Sequence, residues 1–135
     1  MSNLESIVPP LELCKRIPAG EFEDSTLVYR FDHQQAGKIF PETNEDERFF
    51  YVEEREMVEF AQRNMVNPPP MFPAPTLEEI RRKLRNLSIV PGDDVIHVSC
   101  KIDPENWVSA IAVNENDVTA AALRIWFEVK GINLE

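Results

Sequence analysis

The chain closes on a segment, Glu115 to Glu135, that carries more apolar residues around more of its circumference than a surface helix needs. At about 100° per residue, Val118, Ala121, Ala122, Ile125, Val129 and Ile132 form one narrow stripe. Leu123 and Phe127 fall on nearly the opposite side, with Trp126 between them. A helix of this kind is either central to a core or shared with a partner. Asn114, Asn116 or Asp117 suits its start, and Gly131 after Lys130 suits its stop, so a helix over about 115–130 is expected. If the second flank is shared, Leu123, Trp126 and Phe127 are the candidate interaction surface.

A chain of 135 residues fits one domain spanning 1–135, large enough to bury roughly two-thirds of its unfolded surface without metal or disulfide. No apolar run approaches the ~20 residues needed to cross a bilayer, so no membrane role is expected. Met1-Ser2-Asn3-Leu4-Glu5 lacks the basic and apolar regions of a secretory signal, and Cys14 and Cys100 read as reduced, buried thiols. The expectation is a soluble, cytoplasmic protein.

The net charge of −10 is unevenly spread. Residues 42 to 59 hold eight acids against Arg48 and Arg55, and the core of that run, Glu45, Asp46, Glu47, Glu53, Glu54 and Glu56, is a candidate acidic patch. A negative envelope repels phosphate backbones, so direct nucleic-acid binding is not expected. The patch is either a solvated face or an imitation of nucleic acid aimed at a basic protein.

Along the chain, Pro10 precedes Leu13 and Ile17 at helical spacing, which predicts a short helix over about 10–17. Thr26-Leu27-Val28-Tyr29-Arg30-Phe31 is rich in β-formers; Asp32 to Gly37 would turn it and Lys38-Ile39-Phe40 would pair back, a hairpin over about 26–40. Arg48-Phe49-Phe50-Tyr51-Val52 reads as strand, whereas Met57, Phe60, Ala61 and Met65 recur at helical spacing, so residues 48–66 are taken as strand and then a helix over about 54–65. Residues 67–75 are a proline-rich internal connector, extended because proline blocks both helix and central strand. Thr76 and Glu79 spell a capping box for a helix over about 76–86, with Leu77, Ile80, Leu84 and Leu87 as its buried stripe. After Pro91-Gly92, two strand-like runs around the turn Asp103-Pro104-Glu105-Asn106 make a second hairpin over about 95–113.

This inventory assembles no reaction site. On a strand, His97 and Cys100 lie about 10 Å apart and point to opposite faces, so they form no dyad; a packed, hydrogen-bonded His97 is expected instead. Cys14, His33, His97 and Cys100 have no zinc-ligand spacing, and the four glycines form no phosphate loop. No catalytic, cofactor-binding or metal-binding residue is expected, and no cofactor. Carboxylate pairs for acid–base work remain available among 24 acids.

The segments Leu13-Cys14-Lys15-Arg16-Ile17-Pro18-Ala19-Gly20-Glu21-Phe22, Pro73-Ala74-Pro75-Thr76-Leu77-Glu78-Glu79-Ile80 and Thr119 to Trp126 through Lys130-Gly131 resemble a group of short uncharacterised bacterial proteins, often linked to prophages. That resemblance implies an accessory protein of a mobile element and supplies no activity.

The expected fold is therefore α+β: a mainly antiparallel sheet of two hairpins with four helices packed on it. The leading functional expectation is a non-enzymatic accessory protein acting through protein–protein contacts, with self-association, as a homodimer, through the C-terminal helix. The alternatives are a small hydrolase-like enzyme using buried carboxylates, and an acidic nucleic-acid mimic that binds a basic protein.

Overall fold

A computed structural model describes residues 4–31, 50–66, 68, 71–84 and 86–132, without the side chain of residue 5. A 3-10 turn at Leu4–Ile7 leads into α1 (Leu11–Cys14), followed by β1 (Leu27–Phe31), β2 (Phe50–Glu54), α2 (Arg55–Gln62) and β3 (Met71–Pro73). Then come α3 (Leu77–Lys83), β4 (Leu87–Pro91), β5 (Ile96–Asp103), β6 (Asn106–Ala112), a 3-10 turn at Glu115–Asp117 and α4 (Val118–Lys130). The fold is α+β, and its described strands all pair antiparallel.

The described strands divide between two three-stranded sheets, ordered β2-β1-β3 and β4-β5-β6, where one joined sheet was expected. Among the described residues β1 is flanked by β2 in the register Tyr29↔Val52 and by β3 in the register Tyr29↔Phe72. The second arm of the expected first hairpin, residues 32–40, lies outside the described residues. Within the proline-rich connector, Met71–Pro73 is extended and lies along an edge of the first sheet, where a missing N–H costs nothing. Beside β5, β4 plays the same flanking part. Leu87 belongs to β4 and not to the stripe of α3: the helix stops at Lys83, Leu84 is already extended, and Asn86 turns the chain at φ 62°.

Local chemistry accounts for most boundaries. Thr76 Oγ1 accepts from the Glu79 amide at 3.4 Å, and Glu79 Oε1 accepts from the Thr76 amide at 2.9 Å, which closes the capping box. The other carboxylate oxygen of Glu79 accepts from the Thr26 amide at 2.9 Å, so one side chain ties α3 to the start of β1. Gly131 ends α4 in the left-handed region at φ 76°, a conformation that costs a residue with a Cβ but not glycine.

Helix α4 runs through the middle of the main core, against β5 and β6 on one side and α1 and α3 on the other. Leu123, Ile125, Trp126 and Phe127 are all buried, with the Trp126 ring 4.8 Å from Phe22 and 5.4 Å from Phe127. Phe22 holds this place at φ 56°, strained for a bulky residue. Arg55 secures the bend: its guanidinium donates to the Phe22 carbonyl at 3.2 Å, to the Ser25 carbonyl at 2.7 Å and to Ser25 Oγ at 2.7 Å. Such charge-assisted bonds are worth about 1.5–3 kcal/mol each when partly buried, enough to offset one strained residue.

Candidate functional site

The second sheet has one face on α4 and one face open. Val98 and Cys100 of β5 and Val108 and Ala112 of β6 turn inward, so the alternate residues turn out. The register lays them in rows across the open face: Val90–His97–Ile111, then Ser88–Ser99–Ser109, then Lys101–Trp107. Val90, Ile111 and Trp107 are 53%, 59% and 57% exposed, and Lys101 Nζ stands 5.8 Å from the Trp107 ring centre, within cation–π range. Val113, one step past β6, is exposed too. An antiparallel sheet usually presents polar residues to water, so three large apolar side chains on its outer face call for a purpose.

Both ends of this face carry carboxylates. The β5–β6 turn holds Asp103 and Glu105; the opposite end holds Asp93 and Asp94 before β5, and Glu115 and Asp117 after β6. Asp103 is held below the usual carboxylate range by donors from the Asn106 side chain at 2.7 Å and from the Glu105 and Asn106 amides at 2.9 Å each. Its charge therefore persists into acid. Gly92 is required in the β4–β5 turn, where a Cβ would stand 2.9 Å from the Val95 carbonyl oxygen.

The residues singled out from sequence are placed elsewhere. Leu123, Trp126 and Phe127 are each buried at 0% exposure, so they offer no surface to a second copy; the helix is wrapped on both flanks by its own chain. Glu45, Asp46 and Glu47 lie outside the described residues. Glu53 is half-buried and paired with Arg30 at 2.7 Å, while Glu54 and Glu56 are exposed beside it. His97 is exposed on the open face and not packed inside, because Val98 and Cys100 take the inward positions of β5. Val90, Trp107 and Ile111 had no sequence signal of their own, since an alternating strand does not say which of its faces is covered.

The rest of the described surface offers little convergent chemistry. The buried polar side chains are Ser25 and Thr119; no carboxylate is buried among the described residues. No group of three or more His, Cys, Asp and Glu residues is arranged around a common point among them. Burial pushes the Cys14 thiol up to about 12, and it donates to the Pro9 carbonyl at 3.6 Å; burial raises Cys100 as well. Neither is an activated nucleophile. A concavity of about 590 Å³ runs along α2, but its described wall is one face of a single helix, including Met57, Phe60 and Arg63. No helix among the described residues is long and apolar enough to cross a membrane. In comparisons with known proteins, no family model matches the chain, no curated protein matches it in sequence, and no solved structure matches it in fold.

Proposed function

We propose that this protein is a non-enzymatic interaction module that binds a protein partner through the open face of its second sheet. The observation that carries this reading is the exposure of Val90, Trp107 and Ile111 on one face whose other side is core. Aromatic and branched apolar side chains ringed by charge have the composition of an interface centre with a polar rim. The acid–base alternative needs ionisable groups fully withdrawn from water, and among the described carboxylates none is buried, while the half-buried Glu53 is paired with Arg30.

The test compares the wild type with Trp107→Ser/Ile111→Ser and with a control pair on α2, Met57→Ser/Phe60→Ser. All three proteins should keep the same circular dichroism spectrum. Partners retained by immobilised wild type from the source cell should be lost with the sheet variant and kept by the α2 variant. The same partners on all three columns would overturn the assignment.

A further inference from the structure

Four strands stand at the edges of the two sheets among the described residues: β2, β3, β4 and β6. Three are guarded in the ways proteins prevent unwanted pairing. Strand β3 ends in Pro73, β4 ends in Pro91, and β2 carries Glu53 and Glu54 with the Leu4–Ile7 turn lying against it. Strand β6, Asn106-Trp107-Val108-Ser109-Ala110-Ile111-Ala112, has no proline, no glycine and no charge.

The register shows which of its backbone groups are free to pair. The Gly92 amide donates to the Val95 carbonyl at 2.7 Å, which makes Gly92 and Val95 a hydrogen-bonded pair at the start of the ladder. Alternation then gives Val90–His97 and Ser88–Ser99 as the bonded pairs between β4 and β5, and leaves Pro91 facing away from β5, where its missing N–H is harmless. By the same alternation Ile96, Val98 and Cys100 bond to Ala112, Ala110 and Val108. The N–H and C=O groups of Trp107, Ser109 and Ile111 therefore point out from the sheet edge.

Charge says what fits there. An uncharged strand, about 24 Å long at strand rise, is bracketed by Asp103 and Glu105 before it and by Glu115 and Asp117 after it. Next to its C-terminal end a cleft of about 370 Å³ opens between Ile111, Val113, Asp117 and Arg124 on one side and Val8 and Pro10 on the other. A second copy pairing antiparallel would bring the acids at one end of β6 beside those at the other end of its mate, at both ends of the joint. A foreign strand with cations at its ends meets net negative charge instead, Asp103 and Glu105 against Lys101 at one end and Glu115 and Asp117 against Arg124 at the other.

Resting on the reading of the second sheet as the interface, we propose that the partner binds by adding a strand to β6. The occupant is an extended segment of another protein, alternating apolar and polar along its middle and carrying Lys or Arg at both ends. Main-chain hydrogen bonds to Trp107, Ser109 and Ile111 supply register, side chains beside Trp107 and Ile111 supply apolar contact, and the flanking acids select the cationic ends.

The experiment uses the full chain, labelled for NMR, with two synthetic peptides of seven alternating valines and threonines, one capped by lysine pairs and one by glutamate pairs. The lysine-capped peptide should slow amide exchange at Trp107, Ser109 and Ile111, bind at least about tenfold more tightly than the glutamate-capped one, and weaken as salt rises. Ser109→Pro, which removes an outward N–H and spares the β5 ladder, should abolish that protection. Glu105→Gln/Glu115→Gln, both at exposed positions, should narrow the preference between peptides by about threefold or more. Peptide binding that shifts the side chains of Val90 and Trp107 without protecting the edge amides would overturn strand addition and leave the open-face reading standing. Equal affinity for both peptides, or no protection at these amides, would overturn it. The same amides protected in a concentration-dependent dimer without peptide would assign the edge to a second copy and overturn it too.

Discussion

Among the described residues the two sheets have the same strand count and the same antiparallel pairing, yet their central strands live in different surroundings. In β1, Leu27 and Tyr29 enter the main core and Val28 on the opposite face is also buried, beneath the part of the fold where α2 lies on β1 and β2. Tyr29 spends its hydroxyl on the Pro9 carbonyl at 2.8 Å, so even its polar tip is structural. In β5 only one face is covered; His97, Ser99 and Lys101 look out over a surface with Trp107 and Ile111 beside them. A sheet covered on both faces has used its side chains to hold the fold together. One covered on a single face keeps a set that stability does not require, and recognition is free to select them.

The contrast can be broken most directly at the two tryptophans. Trp126→Ala should cost about 3–5 kcal/mol in chemical denaturation, because a fully buried indole leaves a cavity among Phe22, Phe127 and the sheet. A loss under 1 kcal/mol would mean that α4 is not the centre of the core. Next in size, Arg55→Ala should cost about 2 kcal/mol, since the carbonyls of Phe22 and Ser25 lose a charged donor and the left-handed Phe22 loses its brace. Arg55→Lys should recover little of it, a single ammonium being unable to reach the same fork of acceptors.

Alkaline pH probes the covered side through Cys14. Its folded pKa is raised, so the folded state keeps the proton that the unfolded chain releases above about 9. The stability this thiol contributes is complete below that pH and lost as pH climbs toward about 12, at roughly 1.4 kcal/mol per unit. Cys14→Ala should flatten the decline in a series of denaturation midpoints. An unchanged slope would show that the thiol is solvated.

The smallest expected effects lie on the open face. Trp107→Ala and Ile111→Ser should each alter stability by no more than about 0.5 kcal/mol, because both side chains are mostly in water. Acrylamide should quench Trp107 readily and Trp126 hardly at all, which the single variants Trp107→Phe and Trp126→Phe would separate. If Trp107→Ala cost as much as Trp126→Ala, the sheets would not differ as described.

Much of the local structure was legible because it rests on neighbours in the chain. The Thr76–Glu79 box, the Gly131 stop, the passage from strand to helix between Glu54 and Arg55 and the hairpin around Asp103–Asn106 all depend on residues within one turn of each other. Pairings were not legible where they join distant segments. Met71–Pro73 beside β1, and Leu87 turned from a helical stripe into the first residue of β4, depend on where the whole chain passes. The candidate site was hidden for a related reason. In β6 the bulkier residues, Trp107 and Ile111, alternate with Val108, Ala110 and Ala112, and size alone would send the large ones inward. The structure turns the small ones in, and the alanine-rich start of α4 has its place on that side of the sheet.

From residue types and spacing alone came the α+β class, the positions of most elements, the caps, and the presence of one helix too apolar for a surface. Those follow from backbone propensities and side-chain periodicity, which act over a few residues. Tertiary structure decided that Leu123, Trp126 and Phe127 close the core, and that Val90, Trp107 and Ile111 face water. A strand has two equivalent faces until something packs on one of them, and what packs here is α4, which begins six residues after Ala112, the last residue of β6.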